Sequence, residues 1–139
     1  MNKRLLAVSV AALGCAGLAA PALAHHSGAM FDPTKTVTLQ GTVKEFQYTN
    51  PHSWLQVVVI GADGKETEWG FESEGPSTLL RAGIKAKSFM PGEKVTVVGH
   101  PMKDGRPAGS LMSVTKADGS VLSPRGTPQL PPGASTTKG

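Results

Sequence analysis

The sequence predicts an all-β domain with one short helix, folded as a small five-stranded barrel. Three observations predict it. Apolar residues recur at every second position in short runs, the period of a half-buried strand. Asp63-Gly64, Pro91-Gly92, Asp104-Gly105 and Asp118-Gly119 punctuate those runs with turn residues. A single stretch, between the third and fourth runs, carries helix start and stop signals.

The first strand begins near Val37. Val37, Leu39, Gly41 and Val43 alternate with Thr38, Gln40, Thr42 and Lys44. The apolar parity then switches, because Phe46 and Tyr48 fall on even numbers. An extra residue near Lys44 or Glu45, a β-bulge, accounts for the switch. Gly41 permits sharp curvature, so a long bent first strand is expected.

Trp54 to Ile60 is the second strand, with Leu55, Val57 and Val59 inward. Ala62-Asp63-Gly64-Lys65 is its hairpin turn. The third strand puts Thr67, Trp69 and Phe71 on one face and Glu66, Glu68 and Glu72 on the other, where an acidic stripe usually meets water. Pro76 to Ala82 reads as a short helix, since Pro suits an early helical position and Gly83 suits the stop. Lys94 to Gly99 and about Ser110 to Lys116 are the fourth and fifth strands, and Val121-Leu122 adds a short sixth segment. Three strands, a helix, then two strands is the order of the Greek-key OB barrel.

The flanks differ in composition. Residues 1–24 have the three parts of a secretory signal peptide: Lys3 and Arg4, an apolar run from Leu5 to Ala20, and Ala22-Leu23-Ala24 as the cleavage site. A periplasmic protein of the Gram-negative type, not inserted in a membrane after cleavage, is expected. Residues 25–35 form an N-terminal arm on which Met30, Phe31 and Pro33 can pack, the barrel takes 36–122, and 123–139 is Pro/Gly-rich and expected to be a disordered tail. The lone cysteine, Cys15, lies in Leu13-Gly14-Cys15-Ala16, loosely like a lipoprotein site. The three-part leader favours cleavage after Ala24 instead; a lipid on Cys15 would leave His25 internal. After that cleavage 115 of the 139 residues remain, without cysteine, and the formal charge falls from +4 to +2 as Lys3 and Arg4 are lost. So small a charge leaves no electrostatic footprint for nucleic acid.

Four histidines then stand out. Cleavage would make His25 the first residue, so that its amine and its imidazole can chelate a metal together, with His26 beside it. His52 ends Asn50-Pro51-His52 in the loop between strands one and two, and His100 sits in Gly99-His100-Pro101 as the chain enters the loop between strands four and five. OB barrels bind ligands between those two loops and across strands two and three. His25, His26, His52 and His100 are therefore the candidate metal ligands, with copper the favoured ion. Each also has a bland reading. The pair at 25–26 can be a solvated terminus, His52 can fix a turn through the backbone, and His100 can cap a strand. Met102 offers a soft thioether but more often fills a packing gap. Trp54 and Trp69 form a stacking face or core.

With these residues placed, the chain resembles a family of small exported bacterial proteins known only as a domain of unknown function. The resemblance runs from about His25 to Leu122. It rests on His25-His26-Ser27, Phe31-Asp32, Gly41-Thr42-Val43 with Phe46, Thr49-Asn50-Pro51-His52-Ser53-Trp54, Leu79-Leu80-Arg81-Ala82-Gly83, Pro91-Gly92-Glu93-Lys94-Val95, and Gly99-His100-Pro101 with Asp104-Gly105. It implies a periplasmic address and a small β-barrel, and supplies no activity. Ile84 stands where members often carry an aromatic residue.

The residues thus point to a periplasmic carrier or buffer for a transition metal. The alternative is a metal-free binding module taking a small cationic ligand or an envelope protein on the strand 2–3 face. No Ser-His-Asp order, carboxylate pair or phosphate loop stands out, so the chain reads as a binding protein and not as an enzyme.

Overall fold

The computed structural model describes residues 27–126. The expected leader, His25 and His26, and residues 127–139 of the expected tail lie outside the described residues. A 3-10 turn (Ser27–Met30) leads into β1 (Val37–Gln47), β2 (Trp54–Ile60), β3 (Glu66–Glu72), α1 (Pro76–Arg81), β4 (Lys94–Pro101), β5 (Ala108–Lys116) and β6 (Val121–Leu122).

The sheet runs β3-β2-β1-β4-β5-β6, and β3 also pairs with β5, which closes the first five strands into a barrel. β1 serves both halves. Its first part, Val37 to Thr42, pairs with β4, and Thr42 to Gln47 pairs with β2. The register slips between Val43 and Glu45, the bulge that the parity switch predicts. Gly41 lies where a Cβ would come 2.8 Å from the Val58 carbonyl oxygen, so only glycine lets the bent strand pass so close. The closure is parallel and short: Gly70, Phe71 and Glu72 against Ala108, Gly109 and Ser110.

Alternation places Leu55, Val57, Phe71, Val97 and Val114 inside, all essentially without solvent contact. Phe71 is packed by glycine on two strands, because a Cβ on Gly99 would lie 2.9 Å from its ring and one on Gly109 3.2 Å. Leu79 of α1, Ile84 and Phe89 complete the core. Pro76 opens the helix, and Gly83, at φ 81°, ends it in a Schellman motif: Ile84 N–H donates to Leu79 O and Gly83 N–H to Leu80 O. The Tyr48 hydroxyl lies 2.9 Å from the Pro76 carbonyl oxygen and 3.1 Å from that of Ile84, tying both the start of the helix and the residue beyond its end to the chain after β1. Ile84 is thus part of the core.

Composition placed Ser123 at the start of a tail, yet Ser123 and Pro124 are buried. The described residues continue to Gly126, whose N–H donates to the Ser123 carbonyl.

Candidate functional site

The loop from Tyr48 to Ser53 is built to present one imidazole. Thr49 Oγ1 donates to the His52 carbonyl at 3.1 Å. The Asn50–Pro51 peptide is cis. Ser53, fully buried, extends the β2–β3 ladder beyond the strands: its N–H donates to Glu74 O and its carbonyl accepts from Ser73 N–H. Gly75 lets the loop sit down, since a Cβ there would meet the Pro51 carbonyl oxygen at 2.7 Å.

This placement brings His52 Nδ1 onto Glu72 Oε1. The Glu72 side chain is 8% exposed and that of His52 36%. A carboxylate only accepts, so in the neutral ring Nδ1 carries the proton and Nε2 keeps its lone pair. Glu72 therefore departs from the acidic stripe expected of β3. Glu66 and Glu68 are exposed, but Glu72 is held between Trp54 of β2 and Ser110 of β5.

His52 and Glu72 line a cleft of about 100 Å³. Gly28 and Phe31 of the N-terminal arm form part of its wall, Ser73 and Glu74 continue from β3, Ser110 and Leu111 come from β5, and Pro124 and Arg125 cover it from the C-terminal side. Arg125 Nε donates to Glu74 Oε1 at 2.8 Å. Among the described residues, the buried hydroxyls of Ser73 and Ser123 have no hydrogen-bond partner.

The arm is docked along β4 and its turn. Phe31, 5% exposed, bridges to Met102, which packs as a core residue. Asp32 N–H donates to Pro101 O at 2.8 Å, Lys103 N–H to Met30 O at 3.0 Å, and Lys103 Nζ to Ala29 O at 2.8 Å. The Thr34 hydroxyl and N–H, then the Lys35 ammonium, hold the Asp32 carboxyl below the usual carboxylate range.

His52 and His100 do not line the same cleft. His100 lies within β4, opposite Ser110, and its Nδ1 contacts the Lys35 carbonyl at 2.7 Å, so it fastens the end of the arm. It does not line the cleft. Among the described residues, no group of three or more His, Cys, Asp or Glu side chains is placed to hold a metal. His52 is accordingly a single oriented donor, and His25 and His26 lie outside the described residues.

The two tryptophans part ways. Trp69 stacks on Phe71, with ring centroids 5.9 Å apart, and packs against the core. Trp54 is on the outer face, where the edge of its ring and the Gln56 side chain both lie beside Gly70. A larger groove, about 470 Å³, opens on the outer face near Gln40 and Thr42 of β1 and Thr96 of β4. Its lining has hydroxyls and two lysines but no His, Cys, Asp or Glu among the described residues.

A family model described as a family of unknown function (DUF6152) matches residues 12–112. The chain belongs to this family. The DUF6152 match takes in β1 to β4 and part of β5, and with them His25, His26, His52, Glu72 and His100. Neither the curated proteins nor the solved structures offer a match to the chain. The family's description assigns no activity.

Proposed function

We propose that this DUF6152 protein is an exported, periplasmic binding protein for a transition metal, with copper favoured, and that it carries or buffers the ion. The observation that carries the reading is the path of the arm. Gly28 and Phe31 line the same cleft as His52. His25 is three positions before Gly28, a reach of roughly 10 Å when extended. Cleavage after Ala24 would free the His25 amine. Amine and imidazole of His25, the ring of His26 and Nε2 of His52 then form a nitrogen set suited to Cu(II). His100 is the outlying member, with only Nε2 left to offer. Imidazole ligands bind in their neutral form, so affinity falls as the solution is acidified.

The test is calorimetric titration of the mature chain with Cu(II). Placing one alanine ahead of His25 keeps every side chain but displaces the amine. That variant and His52→Ala should lose most affinity, and His100→Ala should lose the least. Equal affinity in all four proteins, or none in the parent, refutes the reading.

One observation favours a second reading. Trp54, on the outer face of β2 with Glu45 on one neighbouring strand and Glu66 and Glu68 on the other, offers an aromatic ring and carboxylates to a small organic cation without any metal, Glu68 being shared with Lys44. Saturable quenching of Trp54 fluorescence by a quaternary ammonium ion, absent in Trp54→Phe, would support it.

A further inference from the structure

We propose that the groove on the outer face of β1, β2 and β4 binds a small aliphatic carboxylate, with Lys94 holding the carboxylate and Val58 and Ile60 the chain. The inference is independent of the metal reading, because no residue of the His52 cleft lines this groove.

Strand register builds the site. Residues directly opposite each other on paired strands share a face. Gln40 stands opposite Thr96, Thr96 opposite Thr115, and Thr115 opposite Val121. Thr42 stands opposite both Val58 of β2 and Lys94 of β4. Leu55 and Val57 point inward, so alternation puts Val58 and Ile60 outside. Pairing of β1 with β2 ends at Thr42, while its pairing with β4 continues back to Val37. The groove opens where the two pairings part. Its volume, about 470 Å³, falls within the roughly 300–1,000 Å³ of small-molecule sites.

The lining has an apolar side and a cationic side. Ile60 is 63% exposed, the most exposed large apolar side chain among the described residues, and Val58 precedes it on the same face. The two lysines differ. Lys116 is taken up by Glu93 at 3.2 Å and by the Ser88 carbonyl at 3.0 Å. Lys94 forms no ion pair among the described residues, and its Nζ donates to the Thr42 hydroxyl at 2.6 Å. An ammonium has three N–H donors, so Lys94 keeps donors for a ligand. One uncompensated cation beside hydroxyls and an apolar wall suits a ligand with a single negative charge and an apolar body. Charge also sets its direction. On β3, Glu68 stands opposite Val58 and Glu66 opposite Ile60. Lys44 neutralises Glu68, and Glu66 leaves a negative charge at the apolar end. A carboxylate is repelled from that edge and drawn to Lys94. From β2 to β4 is two strand spacings, roughly 10 Å, the extended length of octanoate.

The experiment titrates octanoate into the full mature chain and follows the backbone amides by NMR. Saturable shifts are expected at Gln40, Thr42, Lys94, Thr96 and Thr115, and none at Ser73 or Ser110 of the His52 cleft. Shortening the ligand should weaken binding by about fourfold per methylene removed. Octanol keeps the chain without the charge and should bind about fivefold more weakly, a difference that high salt narrows. Octylammonium, with the charge reversed, should not shift the Lys94 amide. Lys94→Met keeps the aliphatic stem, and should weaken octanoate about fivefold and leave octanol unchanged. Ile60→Ser should weaken both ligands alike. No saturable shift with octanoate, shifts confined to other faces, or equal affinity for octanoate, octanol and octylammonium would each overturn the inference on the unaltered chain, whether or not the variants fold. Shifts of the same amides with protein concentration alone would mean that a second copy of the chain fills the groove, and would overturn it as well. Copper titration of Lys94→Met reads the metal proposal separately, since that change touches no residue of the His52 cleft.

Discussion

Replacing Phe31 with alanine tests whether the arm is part of the site, because it removes no metal donor. Phe31 is 5% exposed, with its ring against the barrel beside Met102. Burying a phenylalanine side chain contributes about 1.5–3 kcal/mol. The remaining anchors are the hydrogen bonds from Asp32 N–H to Pro101 O and from Lys103 N–H to Met30 O. At about 1.4 kcal/mol per tenfold, losing the ring lowers the docking equilibrium constant of the arm by about tenfold to a hundredfold, and the docked fraction by up to that factor. Apparent affinity falls with the fraction of molecules that is competent to bind. Copper affinity should therefore drop by up to the same factor, although every histidine is intact. Two assays read this together. Amide exchange at Asp32 and Lys103 should speed up while that of Val97 and Val114, in the core, does not. Calorimetry should show the weaker copper binding. If exchange at Asp32 speeds up but copper affinity stays within threefold of the parent, the arm does not serve the site. If exchange does not change, Phe31 does not hold the arm.

Other expectations follow from single contacts. Gly99→Ala would drive a Cβ to 2.6 Å from the Ser110 carbonyl oxygen and 2.9 Å from the Phe71 ring, so urea denaturation should show a loss of about 1–3 kcal/mol. The lowered pKa of Asp32 means that its hold on the arm is complete above the ordinary carboxylate pKa and is lost as pH falls through the lower folded value. Exchange at the Thr34 amide, measured from neutral to acid pH, should rise there in the parent and lose that step in Asp32→Asn. The exposed Lys44–Glu68 pair should couple by less than about 1 kcal/mol in a double-mutant cycle, and less still in high salt. Mass spectrometry of protein from the periplasm should give a chain that begins at His25; a lipid on Cys15 would contradict the proposed amine chelate.

Much of the barrel is legible in the sequence because strands carry a local period. The shift of apolar residues from Val43 to Phe46 marks the bulge, and Leu55, Val57 and Val59 mark β2. Pro76 and Gly83 bound the helix because one lacks a backbone donor and the other tolerates positive φ. His52 is legible as a loop residue worth testing. Glu72 is not, since nothing local separates it from Glu66 and Glu68. Its one sequence signal is its place at the end of β3, in Glu72-Ser73-Glu74, just before the helix. Ser123 and Pro124 mislead in the same way, since composition reports what a segment could bury alone and not what it can lean against.

The sequence by itself determined the strands, their inward faces, the bulge and the helix, because each depends on residues a few positions apart. Only the tertiary structure decided that β3 and β5 close the barrel, that His100 ties down the arm instead of lining the cleft of His52, and that Glu72 is buried beneath its imidazole. Alternation specifies which face a side chain is on. What covers that face is set by segments far along the chain, here the arm at Gly28 and Phe31 and the return at Pro124 and Arg125, which meet Glu72 only once the barrel has closed.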